Sequence, residues 1–184
     1  MTTKLEFLAG NEWLPVHYPG TFAVELTTGP ERLRIAPRDG HVRVLLALAE
    51  AVGPEYKVLY VLHTPHGDAS AGRYESPAID TSALRGFIRH FSDFIAGDSR
   101  HDLWVHTRIA NATFVWDRHD LLYAYGPLSA FEAILTRLGL RRGTPVPKPD
   151  PHAHRYHSEW DTSERELVSW FDWEVTPLRE EDEQ

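Results

Sequence analysis

The chain has 184 residues, with 19 Lys plus Arg against 27 Asp plus Glu, and no cysteine. That length fits one domain. The missing cysteine excludes disulfides, thiolate catalysis, zinc–cysteine sites and iron–sulfur clusters. The net charge of −8 is carried by one end: residues 1–158 hold 17 acids and 17 bases, whereas residues 159–184 hold ten acids and two bases.

A body without surplus positive charge lacks the footprint of nucleic-acid binding, which rests on neutralising phosphates, so no nucleic-acid partner is expected. No apolar run approaches the ~20 residues of a membrane span, and Met1 to Glu6 has no apolar segment resembling a signal peptide. The expected setting is the cytoplasm, away from any membrane.

Short apolar runs open the chain: Leu5–Leu8, Trp13–Val16, Thr21–Leu26 and Leu33–Ile35, separated by turns at Gly10-Asn11, Pro19-Gly20 and Gly29-Pro30. This is the pattern of antiparallel strands. Asp39 is placed to cap a helix whose inner stripe is Val42, Leu45, Leu46 and Ala49, and a strand follows over Tyr56–Leu62. His63 to Ile79 reads as a loop. Asp80 or Thr81 then opens a helix with Leu84, Phe87, Ile88, Phe91 and Ile95 on one face and Gly97 past its end. Leu103–Thr107, Thr113–Trp116 and Leu121–Tyr125 read as an antiparallel meander. Pro127 suits the first turn of a third helix, with Leu128, Phe131 and Leu138 inward and Gly139 as its stop.

Residues 1–139 thus form an α+β globular domain with a mostly antiparallel sheet and about three packed helices. Residues 140–158 are a Pro/His-rich extended linker packed on it. Residues 159–184 are an acidic, Trp-rich segment. In it, Asp161 with Glu164, or Ser163 with Glu166, can form a capping box for a short helix bearing Leu167, Trp170, Phe171 and Val175, before a disordered end from Arg179. One internal echo, Arg100-His-Asp-Leu against Arg118-His-Asp-Leu, reads as two polar turns feeding two strands.

Three groups of residues carry chemistry. His152 and His154 share one side of an extended segment, because side-chain direction repeats every two residues, and His157 or Glu159 can complete a nitrogen–oxygen ligand set. The cofactor that set suits is a divalent metal such as zinc, manganese, iron or nickel. His63, His66 and Asp68, directly after a strand, pair imidazole with carboxylate as acid–base catalysis requires. The same loop offers Arg73 and Tyr74, and Arg141 and Arg142 follow the third helix; these four are the candidate ligand-binding residues, arginine being suited to anions. Trp160, Trp170, Phe171 and Trp173 lie among acids, a mixture that must dock on the chain's own domain or on a partner.

Phosphate-loop and nucleophile-elbow signatures are missing. Their absence favours a non-catalytic protein-binding or regulatory module, its acidic, aromatic segment meeting another protein with a basic surface. The alternative is a metal-assisted or histidine-based enzyme of hydrolase type acting on a small anionic substrate. Neither pattern speaks to oligomeric state.

Overall fold

The computed structural model describes residues 3–182. Strands β1 (Leu5–Ala9), β2 (Glu12–Pro15), β3 (Thr21–Glu25) and β4 (Arg32–Ala36) open the chain, followed by helix α1 (His41–Glu50) and strand β5 (Glu55–Leu62). Strands β6 (Gly72–Glu75) and β7 (Ile79–Asp80) precede helices α2 (Thr81–His90) and α3 (Ser92–Gly97). The meander is β8 (His101–Thr107), β9 (Ala112–Trp116) and β10 (Leu122–Tyr125), and helix α4 (Leu128–Arg137) follows. Strands β11 (Arg141–Arg142) and β12 (His152–His154), helix α5 (Asp161–Leu167) and strand β13 (Glu174–Thr176) complete the chain.

The main sheet runs in the order β11-β3-β4-β10-β9-β8-β5-β6-β13, with β7 paired to β5. It is antiparallel throughout except where β11 joins β3. A second, three-stranded sheet has the order β12-β1-β2. The α+β class with a mostly antiparallel sheet is therefore what the chain adopts, as one compact domain. No helix among the described residues is long and apolar enough to cross a membrane.

Alternation along the strands divides the sheet into two faces. Leu103, Val105, Phe114, Trp116, Leu122, Leu33 and Ile35 point inward and are buried with Val44, Leu45, Phe87, Ile88, Phe131 and Leu135 of the helices. Each such large apolar side chain contributes about 1.5–3 kcal/mol by leaving water. The alternate positions, among them Arg32, Arg34, Asp102, Trp104 and Tyr123, form the outer face, where a smaller cluster of Tyr18, Ala36, Val115, Leu121 and Tyr123 gathers.

Several local expectations are corrected. α1 is capped by Gly40 in the left-handed region, with no side-chain hydrogen bond, and not by Asp39. The helix expected from residue 81 to Gly97 is two, α2 and α3, because Phe91 turns out of helical geometry at φ −95, ψ 10; Gly97 ends α3 from within. Asp80 does cap α2, accepting a 2.8 Å bond from the Ala83 amide. Pro127 sits at the N-cap of α4, one position before the helix begins. The loop after β5 contains strand β6, whose four residues Gly-Arg-Tyr-Glu are too few to declare a period.

Neither capping box forms at α5, since a 3₁₀ turn over Ser158–Trp160 runs directly into it. That helix ends at Leu167, and Val175 belongs to β13, paired with β6. The expected disorder from Arg179 is replaced, through Asp182, by a 3₁₀ turn in which Asp182 is buried against Arg73; the rest of that expectation lies outside the described residues.

The carboxylates of α5 are used on Arg100, whose side chain is 0% exposed. Asp98 grips it in a fork, from Nε at 2.9 Å and Nη2 at 3.0 Å. Nη1 donates to Glu164 at 2.9 Å and to Asp161 at 3.1 Å, and Nη2 also donates to the His157 carbonyl at 2.9 Å. Glu164 in turn accepts from the amides of His66 and Gly67. Burial alone would lower the pKa of Arg100, but the bonds from Asp98 and Glu164 outweigh it and raise it.

Removing one partner of such a buried set strands the remaining charges, at a cost of about 3–5 kcal/mol. Arg100→Ala should therefore destabilise the chain by about that amount in urea unfolding, with early protease cleavage after residue 157. A loss below about 1 kcal/mol would show that the network contributes no more than a surface ion pair.

Candidate metal centre

Three histidines from two distant segments converge. His152 and His154 lie on β12, which pairs with β1 in the register His152–Phe7 and His154–Leu5, and so project from the same side. His119 comes from the turn between β9 and β10. Ring centroids are 5.2 Å apart for His119 and His152, 4.9 Å for His119 and His154, and 5.1 Å for His152 and His154. One ring nitrogen from each lies within 4.8 Å of the others.

Local chemistry orients each ring. Asp117 closes the turn by accepting from the amides of His119 at 3.0 Å and Leu121 at 2.9 Å through Oδ1. Its Oδ2 stands 3.0 Å from His119 Nδ1, which makes Nδ1 the donor there and orients the ring. Burial would raise the pKa of Asp117, yet the His119 contact and the Leu121 amide hold it below the usual carboxylate value. His152 Nδ1 is tied to the Pro149 carbonyl at 2.8 Å. His154 Nδ1 is buried without a hydrogen-bond partner. Burial, then the neighbouring His119 and Arg118, pushes His154 down to about 3, so it stays neutral.

Imidazoles held by a carboxylate or a backbone carbonyl behind them are the arrangement in which histidine binds a metal. Three nitrogens about 2.1 Å from a tetrahedral ion stand about 3.4 Å apart, so the rings, whose nitrogens lie within 4.8 Å of one another, would have to close by up to about 1.4 Å. His119 also lines a cleft of about 190 Å³ on the outer sheet face. Trp104, Tyr123 and Tyr125 form its aromatic wall, Arg32 and Lys148 bring positive charge, and Glu181 and Asp182 enter from the C-terminal end.

The residues singled out in the sequence are distributed as follows. His152 and His154 belong to the cluster. His157 does not: its Nε2 stands 2.9 Å from the Thr3 carbonyl, while exposed Glu159 lies in the 3₁₀ turn before α5. His119 takes the place expected of them. The sequence signals for it were the Arg-His-Asp-Leu echo and the aspartate two residues earlier.

His63 pairs with Asp102, at 3.0 Å, and not with Asp68, which is exposed and has no partner among the described residues. Asp102 also accepts from the Arg118 amide at 2.6 Å, which links that pair to the turn carrying His119. His66 stands 3.6 Å from Asp161. Arg73 binds Asp182, Tyr74 donates to the Ser70 carbonyl at 2.7 Å, and Arg142 donates to Glu132 at 2.9 Å. Arg141 lines a different cavity. Trp160 packs on Phe94, Trp170 on Phe91 and His90, Phe171 on Phe87, and Trp173 on Tyr74, so the aromatics of the C-terminal segment dock on their own domain.

Comparisons with protein-family models, with curated proteins and with solved structures find no match to this chain.

Beneath the His63–Asp102 pair lies His101, fully buried between the rings of Tyr60 and Phe94. Burial first, then the positive Lys4 and Arg100 and the neighbouring His63, hold its pKa well below 6.5. The folded chain keeps His101 neutral whereas the unfolded chain protonates it, so its contribution is intact above pH 6.5 and is lost as pH falls below that value. The slope is at most about 1.4 kcal/mol per pH unit for one proton. His101→Phe removes this proton uptake. Urea unfolding of the two proteins should give a stability difference that shifts in favour of the variant between pH 7 and pH 5; a difference constant with pH would contradict this assignment.

Proposed function

We propose that the chain is a metal-dependent enzyme of hydrolase type, with one divalent ion held by His119, His152 and His154. The observation that carries this reading is the convergence of three imidazoles, two of them oriented from behind by Asp117 and the Pro149 carbonyl. Three nitrogen donors suit zinc, iron or nickel better than the oxygen-preferring ions, and manganese less well. Three protein ligands leave a position for water, whose pKa such an ion lowers towards neutrality.

The adjoining cleft is lined by Arg32, Arg118 and Lys148 against Asp102, Asp117, Glu181 and Asp182, a formal balance of −1 that a bound divalent ion would turn to +1, and Arg32 already shares its guanidinium with Glu25 and with the Tyr125 hydroxyl. His63 with Asp102, which accepts from the Arg118 amide of the same turn, is one histidine–carboxylate pair linked to the cluster, and His41 with Asp120 is another.

A second reading, a non-catalytic protein-binding module, draws support from the edge of the small sheet. There Trp13 and Leu14 of β2 are exposed, with Leu8 of β1 beside them. The acidic segment no longer supports it, since its tryptophans are engaged within the chain.

Metal analysis of protein purified without a histidine tag should find about one ion per chain, absent from His119→Ala and His152→Ala, with Asp117→Asn weakening affinity about 10–100-fold. Substoichiometric zinc, manganese, iron and nickel, with no rise in melting temperature on adding them, would remove the enzyme reading and leave the binding module.

A further inference from the structure

We infer that a notch between α1 and β11 binds the phosphate group of a small phosphorylated molecule. Its volume is about 300 Å³ and three arginines are among the residues that line it. Arg38 comes from the turn between β4 and α1, Arg43 from the first turn of α1, and Arg141 from β11.

The fold places each of them. Arg141 is set by the parallel pairing of β11 with β3, its amide donating to the Gly20 carbonyl at 3.1 Å. Arg38 lies across Gly20, where an added Cβ would stand 3.8 Å from Arg38 Cβ. Arg43 folds over Gly40, where an added Cβ would stand 3.7 Å from its Nε. Both glycines have positive φ, at 77° and 68°, so the backbone bends sharply beneath the two arginines and carries no side chain there.

Among the described residues none of the three forms an ion pair. Arg43 Nη2 makes one long contact, 3.5 Å, to the Leu138 carbonyl, and the guanidinium groups of Arg38 and Arg141 make no hydrogen bond. Arg32, Arg85, Arg100 and Arg142 are each held by a carboxylate, whereas Arg89, Arg108 and Arg137 are, among the described residues, without an ion pair like the notch arginines, so it is the gathering of three in one concavity that sets this place apart. Like charges sharing one concavity repel, and an anion between them turns that repulsion into attraction.

Charge and geometry together choose the ligand. Asp39 is the one acid lining the notch, so three arginines leave a formal charge of +2 there. That balances a phosphate dianion and overbalances a carboxylate. Guanidinium forks also match the paired oxygens of a phosphate, each able to donate two parallel bonds. The volume lies at the lower end of small-molecule sites, enough for the phosphate and a short organic remainder. No lining residue is shared with the cleft beside His119, so this site is independent of the function proposed above.

Calorimetric titration of the full chain with inorganic phosphate, at constant ionic strength, tests the inference. Saturable one-to-one binding is expected, weakened about tenfold by Arg38→Gln and by Arg141→Gln and unchanged by Arg85→Gln. Glycerol phosphate should compete with phosphate, and acetate should not. The substituted side chains are exposed, so melting temperatures within about 2 °C of the parent confirm that the variants fold. Phosphate binding that is absent, that is indifferent to both notch substitutions, or that glycerol phosphate fails to displace overturns the inference.

Discussion

The buried guanidinium of Arg100 is the constraint around which the rest of the molecule is arranged. Taking a charge out of water costs several kcal/mol, and only a complete set of partners repays it. The chain collects those partners from places far apart: Asp98 at the end of α3, Glu164 and Asp161 on α5, and the carbonyl of His157. Because Glu164 also holds the amides of His66 and Gly67, the loop after β5 is bound into the same knot. The His157 amide donates to Asp98, and the Ser99 amide to the Arg155 carbonyl, so the segment just after β12 is fixed there too. The placement of His152 and His154 thus depends on an arginine outside their cluster.

Burial acts on other charged groups with different outcomes. Lys4 is 2% exposed, with the Ile95 carbonyl 3.1 Å from Nζ and the Trp116 ring 5.2 Å away, and its pKa is lowered because desolvation exceeds the pull of the aspartates around it. His101 and His154 are driven to the neutral form by the same effect. In His101 the result is a packed aromatic ring; in His154 it is a neutral imidazole beside the rings of His119 and His152.

Much of this was legible in the residues. The stripe Leu84, Phe87, Ile88 identified α2 by its period, and the short connections between the runs of β8, β9 and β10 gave the meander, because they leave room only for antiparallel neighbours. β6 states too little of a period, and β11 and β13 owe their existence to neighbours they pair with. The candidate centre was half legible. His152 and His154 share a strand, so spacing revealed them, but His119 is 33 positions upstream of His152, and only the turn built by Asp117 brings it to them. His157 looked like the third ligand because it is near in sequence, whereas its backbone was already committed to Asp98 and Arg100. The acids of α5 had the spacing of a capping box and serve as counter-ions instead, a use that no local pattern can announce.

The extension beyond residue 158 also settles how the main sheet ends. A sheet edge with free amides and carbonyls invites pairing with another chain, and β6 would be such an edge on its own. β13 occupies it for three residues, Glu174 opposite Glu75 and Thr176 opposite Arg73, then gives way to Pro177. At the opposite side the last strand is only two residues, both arginine. Both margins of the sheet are therefore short and charged or closed by proline, so that the acidic segment acts as a hem, keeping a broad antiparallel sheet from growing by addition of further strands.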